Sequence, residues 1–175
     1  MRYAWRFGPF LAALALVPLP LRADEQLVPL AMSGDWAALA HKADITSPPD
    51  VCVLTNPVRQ IAFRAASSGF EIRVTNENWS LPINVSGTIQ MKVGDIAKSY
   101  DISANTDTMI VASISEAEIL EIFGAMDKSS SMLVTVGKSK PFSVSLNGSS
   151  RATNAFRTCA GLAGNDKKGG ENPFQ

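Results

Sequence analysis

Alternation of apolar and polar residues dominates the middle of the chain. In the eleven residues 83–93, apolar residues or glycine occupy every second position and polar residues occupy the positions between them. This period of two predicts a strand with one buried and one solvent-facing side, as antiparallel sheets allow. Further strands are predicted over residues 51–55, 61–65, 70–74, 96–104, 109–114, 132–136 and 142–146, and the strands before residue 115 are predicted to form a meander.

The residues that precede these strands have a weaker pattern. Residues 24–33, which include Pro29, look like an extended lead-in. In residues 34–44 the alanines and Leu39 favour a helix, whereas Trp36 followed by alternate small residues favours an edge strand. Propensity alone leaves both assignments open.

Helical spacing appears first at residues 115–118, which read SEAE. This is a capping box, in which the Ser115 side chain accepts a hydrogen bond from an N–H of the first turn and Glu118 reaches back to the serine N–H. The apolar residues that follow form one stripe, which we expect to pack on the core: Ile119, Leu120, Phe123 and Met126.

A second predicted helix follows Gly148, with Ser149 or Ser150 as its N-cap. One face of this helix carries Ala152, Ala155, Phe156 and Cys159. Together the elements predict a mainly β, β-rich α+β fold: an antiparallel β-sandwich or flattened barrel of about seven or eight strands with two short helices.

The two ends of the chain differ in composition from this region. Residues 1–23 combine early arginines, a short apolar block interrupted by prolines and a small residue before Asp24, which predicts a secretory signal peptide. The block is shorter than the roughly 20 residues that span a bilayer, so we predict a mature form that does not span the membrane and is periplasmic or secreted. Residues 24–162 are the predicted single domain, and the glycine-rich residues 163–175 are a predicted disordered tail.

The chain has two cysteines, Cys52 and Cys159. In an oxidising compartment two such cysteines commonly pair, and a bridge of this kind stabilises a fold by about 2–4 kcal/mol. The alternative, two free thiols of which one is nucleophilic, needs a neighbouring histidine or basic group to lower the thiol pKa. We predict the disulfide.

Candidate chemistry is sparse. The predicted leader holds three of the 16 basic residues and none of the 16 acidic ones, which leaves the mature chain with a net charge of about −3 and argues against nucleic acid as a partner. His41 is the only histidine, so few ligands remain for a metal. Glu118 and Glu121 lie on the solvent side of a predicted helix, and no serine has the G-x-S-x-G setting of a nucleophile. We therefore predict no catalytic, cofactor or metal site and no enzyme.

Trp79, in the sequence NENWSLP, is the candidate partner-binding residue. It lies in a turn-like setting before Pro82, and large aromatic residues in loops commonly anchor partners. The alternative is a tryptophan that plugs the end of a β-sandwich.

Several blocks of the sequence carry a family likeness. These are Trp36 upstream of Cys52, GFEIRVTNENWSLP around Trp79, ISEAEILEIFGAM, and FSVSLNGSSRATNAFRTC. Together they resemble small exported proteins of alphaproteobacteria related to the invasion-associated locus B family, over roughly residues 34–160. The resemblance implies a β-rich periplasmic or outer-surface domain without a known catalytic centre. It also favours a strand for residues 34–44 and supports the Cys52–Cys159 bridge.

These observations lead to one functional prediction with two alternatives. We predict a non-catalytic, exported, periplasmic or envelope-associated binding module of the invasion-associated locus B type, whose partner is an unknown protein or envelope component. The first alternative is an inhibitor of a cell-wall or host enzyme. The second is a hydrolase with a site that the sequence patterns do not reveal.

Overall fold

The structure is a computed structural model that describes residues 26–44, 46–82 and 84–162. It contains β1 (Gln26–Ser33), β2 (Trp36–Lys42), β3 (Val51–Asn56), β4 (Ile61–Ala66), β5 (Gly69–Thr75), β6 (Ser86–Val93), β7 (Ile96–Thr106), β8 (Met109–Ile114), α1 (Glu116–Met126), β9 (Ser131–Val136), β10 (Phe142–Ser145) and α2 (Ser149–Cys159). The predicted mainly β, antiparallel fold with two helices is confirmed. The predicted signal peptide and tail lie outside the described residues.

All the strands belong to one antiparallel sheet, in the order β1-β2-β3-β4-β5-β8-β7-β6-β9-β10. The sheet has ten strands, more than the predicted seven or eight, because the lead-in and the ambiguous segment both form strands. Gly34, with φ 55°, turns the chain between β1 and β2, and β2 pairs with both β1 and β3. Residues 36–42 therefore form a strand and not a helix.

The predicted meander is wrong after β5. This strand pairs with β8, and the chain reaches β6 through a connection, residues 76–85, before it returns along β7 and β8. The strand predicted from residue 83 begins only at Ser86, because the Val85 N–H donates to the Pro82 carbonyl (3.1 Å) in a turn. The crossover from β5 to β6 requires this long connection, and Trp79 lies in it.

The sheet curls until its two ends meet. The Trp36 indole N–H on β2 donates to the carbonyl of Ser145 on β10 (2.8 Å), and the Asp35 N–H donates to the Asn147 carbonyl (3.0 Å). We call these four residues the seam. Because β2 is next to one edge of the sheet and β10 forms the other edge, the seam requires strong curvature, closer to a flattened barrel than to two separate sheets.

The concave side of the sheet holds the core together with both helices. Phe123 of α1 packs edge-to-face against Phe63 of β4 and Phe156 of α2, with ring centroids 5.1 and 5.6 Å apart. All three rings are fully buried. Pairs of this geometry add about 0.5–1.5 kcal/mol each beyond the burial of their area. They fix both helices against the same region of the sheet.

The two helices begin differently. The capping box of α1 is confirmed: the Ser115 hydroxyl accepts from the Glu118 N–H, and the Ser115 N–H donates to the Glu118 carboxylate. At α2 the predicted serine cap is wrong, because the N-cap is Gly148 in a left-handed conformation (φ 80°). A side chain at Gly148 would overlap the Ser33 carbonyl, so the tight approach of β1 selects glycine there.

Candidate functional site

The two cysteines form a structural disulfide bond. Cys52 on β3 and Cys159 at the end of α2 are joined by a disulfide with a Cα–Cα distance of 6.0 Å. Cys52 is buried and Cys159 is half-buried, and no free cysteine is present in the described part of the chain. The bridge fastens the last helix to the sheet, so neither sulfur is available as a thiolate nucleophile while it is intact.

The ionisable side chains that sequence inspection singled out are engaged in local contacts. The Ser115 hydroxyl and backbone N–H bind the Glu118 carboxylate and lower its pKa. Glu121 pairs with Lys98 on β7 (2.7 Å). His41 Nδ1 lies 2.7 Å from the Asp50 carboxylate, and this contact lowers the pKa of Asp50. Each of these three carboxylates is therefore bound by a neighbouring side chain or backbone group.

The described residues contain no cluster of three or more His, Cys, Asp or Glu side chains that could hold a metal ion. They also contain no helix with the length and apolar character of a membrane span.

Four surface depressions are candidates for a binding or catalytic site. One of about 330 Å³ borders the disulfide, and another of about 400 Å³ lies between the β6–β7 turn and α1. A third, of about 400 Å³, follows the convex face beside Lys92 and Leu133. The fourth, at Trp79, is smaller, about 190 Å³. None of the four is lined by two groups with a shifted pKa, the combination expected of an acid–base site.

The smallest depression has the side chains that most often dominate protein interfaces. Trp79 and Phe142, both half-buried, stand beside Arg59 and Val58, whose side chains are exposed. Val58 is 75% exposed, the highest value among the exposed large apolar residues described. Tryptophan and arginine are enriched at binding hot spots. We call these four residues the Trp79 patch.

The crossover connection positions Trp79. The Asn76 N–H donates to the Thr108 carbonyl (2.9 Å) and the Leu81 N–H donates to the Asp107 carbonyl (2.8 Å), so both ends of the loop are bound to the β7–β8 turn. Within the loop, the Trp79 N–H donates to the Asn76 carbonyl (3.0 Å). The loop backbone is thereby held across the end of the sheet, and one side of the indole packs on the core.

The turn between β3 and β4 supplies the other side of the patch. Buried Asn56 accepts a hydrogen bond from the Arg59 N–H through its side chain (3.1 Å). Gln60 has φ 52°, a left-handed conformation that costs a non-glycine residue free energy, and its carbonyl accepts from the Thr75 N–H (2.9 Å). Hydrogen bonds on both sides of Val58 therefore anchor the backbone of the turn that carries it.

The sequence left open whether Trp79 anchors a partner or plugs the end of a β-sandwich, and the structure places it between these two cases. Trp79 is neither fully exposed nor fully buried. Sequence inspection missed Val58, Arg59 and Phe142, which lie 20 or more residues away from it along the chain. One local signal was present, since Val58 is an apolar residue in a turn directly after Pro57 and has no strand neighbour to cover it.

Comparison with known proteins gives no further assignment. No protein-family model, no curated protein and no solved structure matches the chain.

Proposed function

We propose that this protein is a non-catalytic, exported binding module that engages a protein or envelope component through the Trp79 patch. One observation carries the proposal: an aromatic and aliphatic surface cluster, with an arginine, is presented by two loops whose backbones are fixed by hydrogen bonds. A surface that is already ordered loses little conformational entropy on binding.

Export is supported by two independent features. The sequence begins with the pattern of a cleavable leader, and the domain has a disulfide that an oxidising compartment maintains. We propose that the protein is periplasmic or secreted. We also propose that it is related to the invasion-associated locus B family, on the four sequence blocks described above.

Capture by matched variants tests the binding function. The protein is produced with its own leader, recovered from the periplasm and immobilised, and then exposed to an envelope extract of its own cells. We expect a partner to be retained by the wild-type protein and to be lost with Trp79→Ala and with Val58→Asp. Leu133→Ser is the control, because Leu133 is also an exposed apolar residue (42%) but lies on the convex face outside the patch.

The same preparation tests export, because N-terminal sequencing shows whether the leader has been removed near Ala23. A partner that Trp79→Ala and Leu133→Ser retain equally well would contradict the assignment to the Trp79 patch. Recovery of the protein only from the cytoplasm would contradict export.

A further inference from the structure

We propose that the Trp79 patch binds an acidic peptide segment in which one apolar anchor side chain lies close to a carboxylate. The inference rests on the proposed function, since it assigns a class of partner to the same surface. It follows from the shape of the depression and from the charge on its rim.

The shape fits one apolar side chain. The depression has a volume of about 190 Å³, which is room for a single medium-sized side chain. Buried Val74 of β5 contributes to its lining, together with Trp79, Phe142 and Val58. A site with apolar lining residues and a few polar groups at its edge favours an apolar anchor with a polar neighbour.

The rim charge points to a carboxylate. Arg64, Arg73 and Arg157 each pair with a carboxylate of the protein, whereas the exposed Arg59 makes no ion pair or side-chain hydrogen bond with any described residue. An arginine guanidinium recognises a carboxylate through two parallel hydrogen bonds. The hydrogen bond from its N–H to Asn56 fixes the backbone of Arg59, and the guanidinium group remains available to a partner.

Among the described residues that line the depression, Arg59 is the only charged one. Exposed Lys140, two residues before Phe142, does not line it. Glu77, exposed on the Trp79 loop, does not line the depression. The mature chain as a whole carries a net charge of about −3, so the positive charge of Arg59 is a local property of this surface and attracts acidic segments only over short range.

Short blocked peptides test the inference directly. The probes are acetyl-Gly-Leu-Asp-Gly-amide, the same peptide with Lys in place of Asp, and the same peptide with Gly in place of Leu. Binding is followed by the NMR signal of the Trp79 indole N–H, which is assigned by its loss in Trp79→Phe; the buried Trp36 indole is the internal reference. At low salt we expect the Leu-Asp peptide to bind about fivefold more tightly than the Leu-Lys peptide. The peptide without leucine should bind more weakly than either.

Charge reversal provides the matched control. In Arg59→Glu the preference should change to the Leu-Lys peptide, whereas Arg151→Glu, at an exposed arginine on α2, should leave the order unchanged. Equal affinity for the Leu-Asp and Leu-Lys peptides would overturn the acidic preference.

The outcomes also separate the two proposals. If no peptide moves the Trp79 signal while partner capture still depends on Trp79, the assigned partner class is wrong and the binding function stands. If capture is also independent of Trp79, both proposals are wrong.

Discussion

The two tryptophans of the described domain occupy opposite situations. Trp36, in the seam, is 2% exposed, and its indole N–H donates to the Ser145 carbonyl (2.8 Å). Trp79 is half-buried in the crossover connection and lines an open depression. The Trp36 side chain is buried and its only hydrogen-bond donor is used within the fold. The Trp79 side chain retains exposed surface that a partner can cover.

This difference shows what separates a structural from a binding aromatic residue in the domain. Residues of the seam join β10, at one edge of the sheet, to β2, next to the other edge, so their contacts decide whether the curled sheet closes. Residues of the Trp79 patch lie on loops whose backbones are fixed by other groups. Changes in the seam should therefore reduce stability, and changes in the patch should reduce binding.

The largest effect is expected from Trp36→Ala. Removing a fully buried tryptophan costs about 3–5 kcal/mol of unfolding free energy, because it leaves a cavity and removes the donor to Ser145. Trp79→Ala should cost clearly less, within about 2 kcal/mol, because part of the indole already contacts solvent. Urea unfolding of both variants measures the contrast. Equal losses would mean that Trp79 is a core residue and would contradict the division between seam and patch.

The disulfide gives the next largest effect. Replacing both cysteines, Cys52→Ala together with Cys159→Ala, should lower the unfolding free energy by about 2–4 kcal/mol, since α2 is then no longer tied to β3 and the unfolded chain gains freedom. The Trp79 patch contains neither cysteine, so we expect partner capture to persist below the lowered unfolding temperature. Loss of capture by a variant that is still folded would show that the patch depends on the disulfide.

Glycine substitution tests how tightly Gly148, next to the seam, packs against β1. Gly148→Ala introduces a Cβ that overlaps the Ser33 carbonyl, in addition to the strain of φ 80°, and should cost about 2–3 kcal/mol. Gly137→Ala is the matched control, because its φ of 54° carries similar strain but no atom lies within 4 Å of the added Cβ. It should cost about 1 kcal/mol. Thermal unfolding of the two variants separates the overlap from the strain, and equal losses would contradict close packing at Gly148.

Local patterns in the sequence predicted much of the fold. Period-two alternation identified β4, β5 and β6, and the SEAE capping box identified the start of α1, because both depend on neighbours a few residues away. Segment 34–44 was ambiguous for the opposite reason: its strand is decided by pairing with β1 and β3 on both sides. The order of β5, β8 and β6 was also missed, since alternation does not specify which strand is the neighbour.

The candidate site was predictable only in part. Trp79 could be identified from its loop setting, but the residues that complete the patch come from the β3–β4 turn and from β10. They meet Trp79 because the sheet curls and the connection crosses its end. The exposure of Val58 in a turn has a local signal, but its proximity to Trp79 and Phe142 is a long-range consequence of the fold that no local pattern specifies.

The smallest predicted effect compares two buried aromatic residues that differ in how their polar group is satisfied. Tyr100 on β7 is 8% exposed, and its hydroxyl is buried with no hydrogen-bond partner among the described residues, whereas the Trp36 N–H has one. At pH 7, Trp36→Phe should cost about 1–2 kcal/mol, but Tyr100→Phe should change stability by less than about 1 kcal/mol, because it removes a polar group that made no bond.

Alkaline pH should then separate the tyrosine variant from the wild-type protein. Burial, followed by the nearby Glu118 and Glu121 carboxylates, raises the pKa of Tyr100 to about 12. In the unfolded chain the tyrosine ionises near pH 10, so between about pH 10 and 12 the unfolded state binds fewer protons than the folded state, and stability falls as pH rises. The Tyr100→Phe variant lacks this ionisable hydroxyl, so its unfolding free energy should decline less steeply than that of the wild-type protein across the same range. Parallel declines in urea titrations at pH 9, 10 and 11 would show that the Tyr100 hydroxyl is solvated in the folded state, and the contrast with Trp36 would then be wrong.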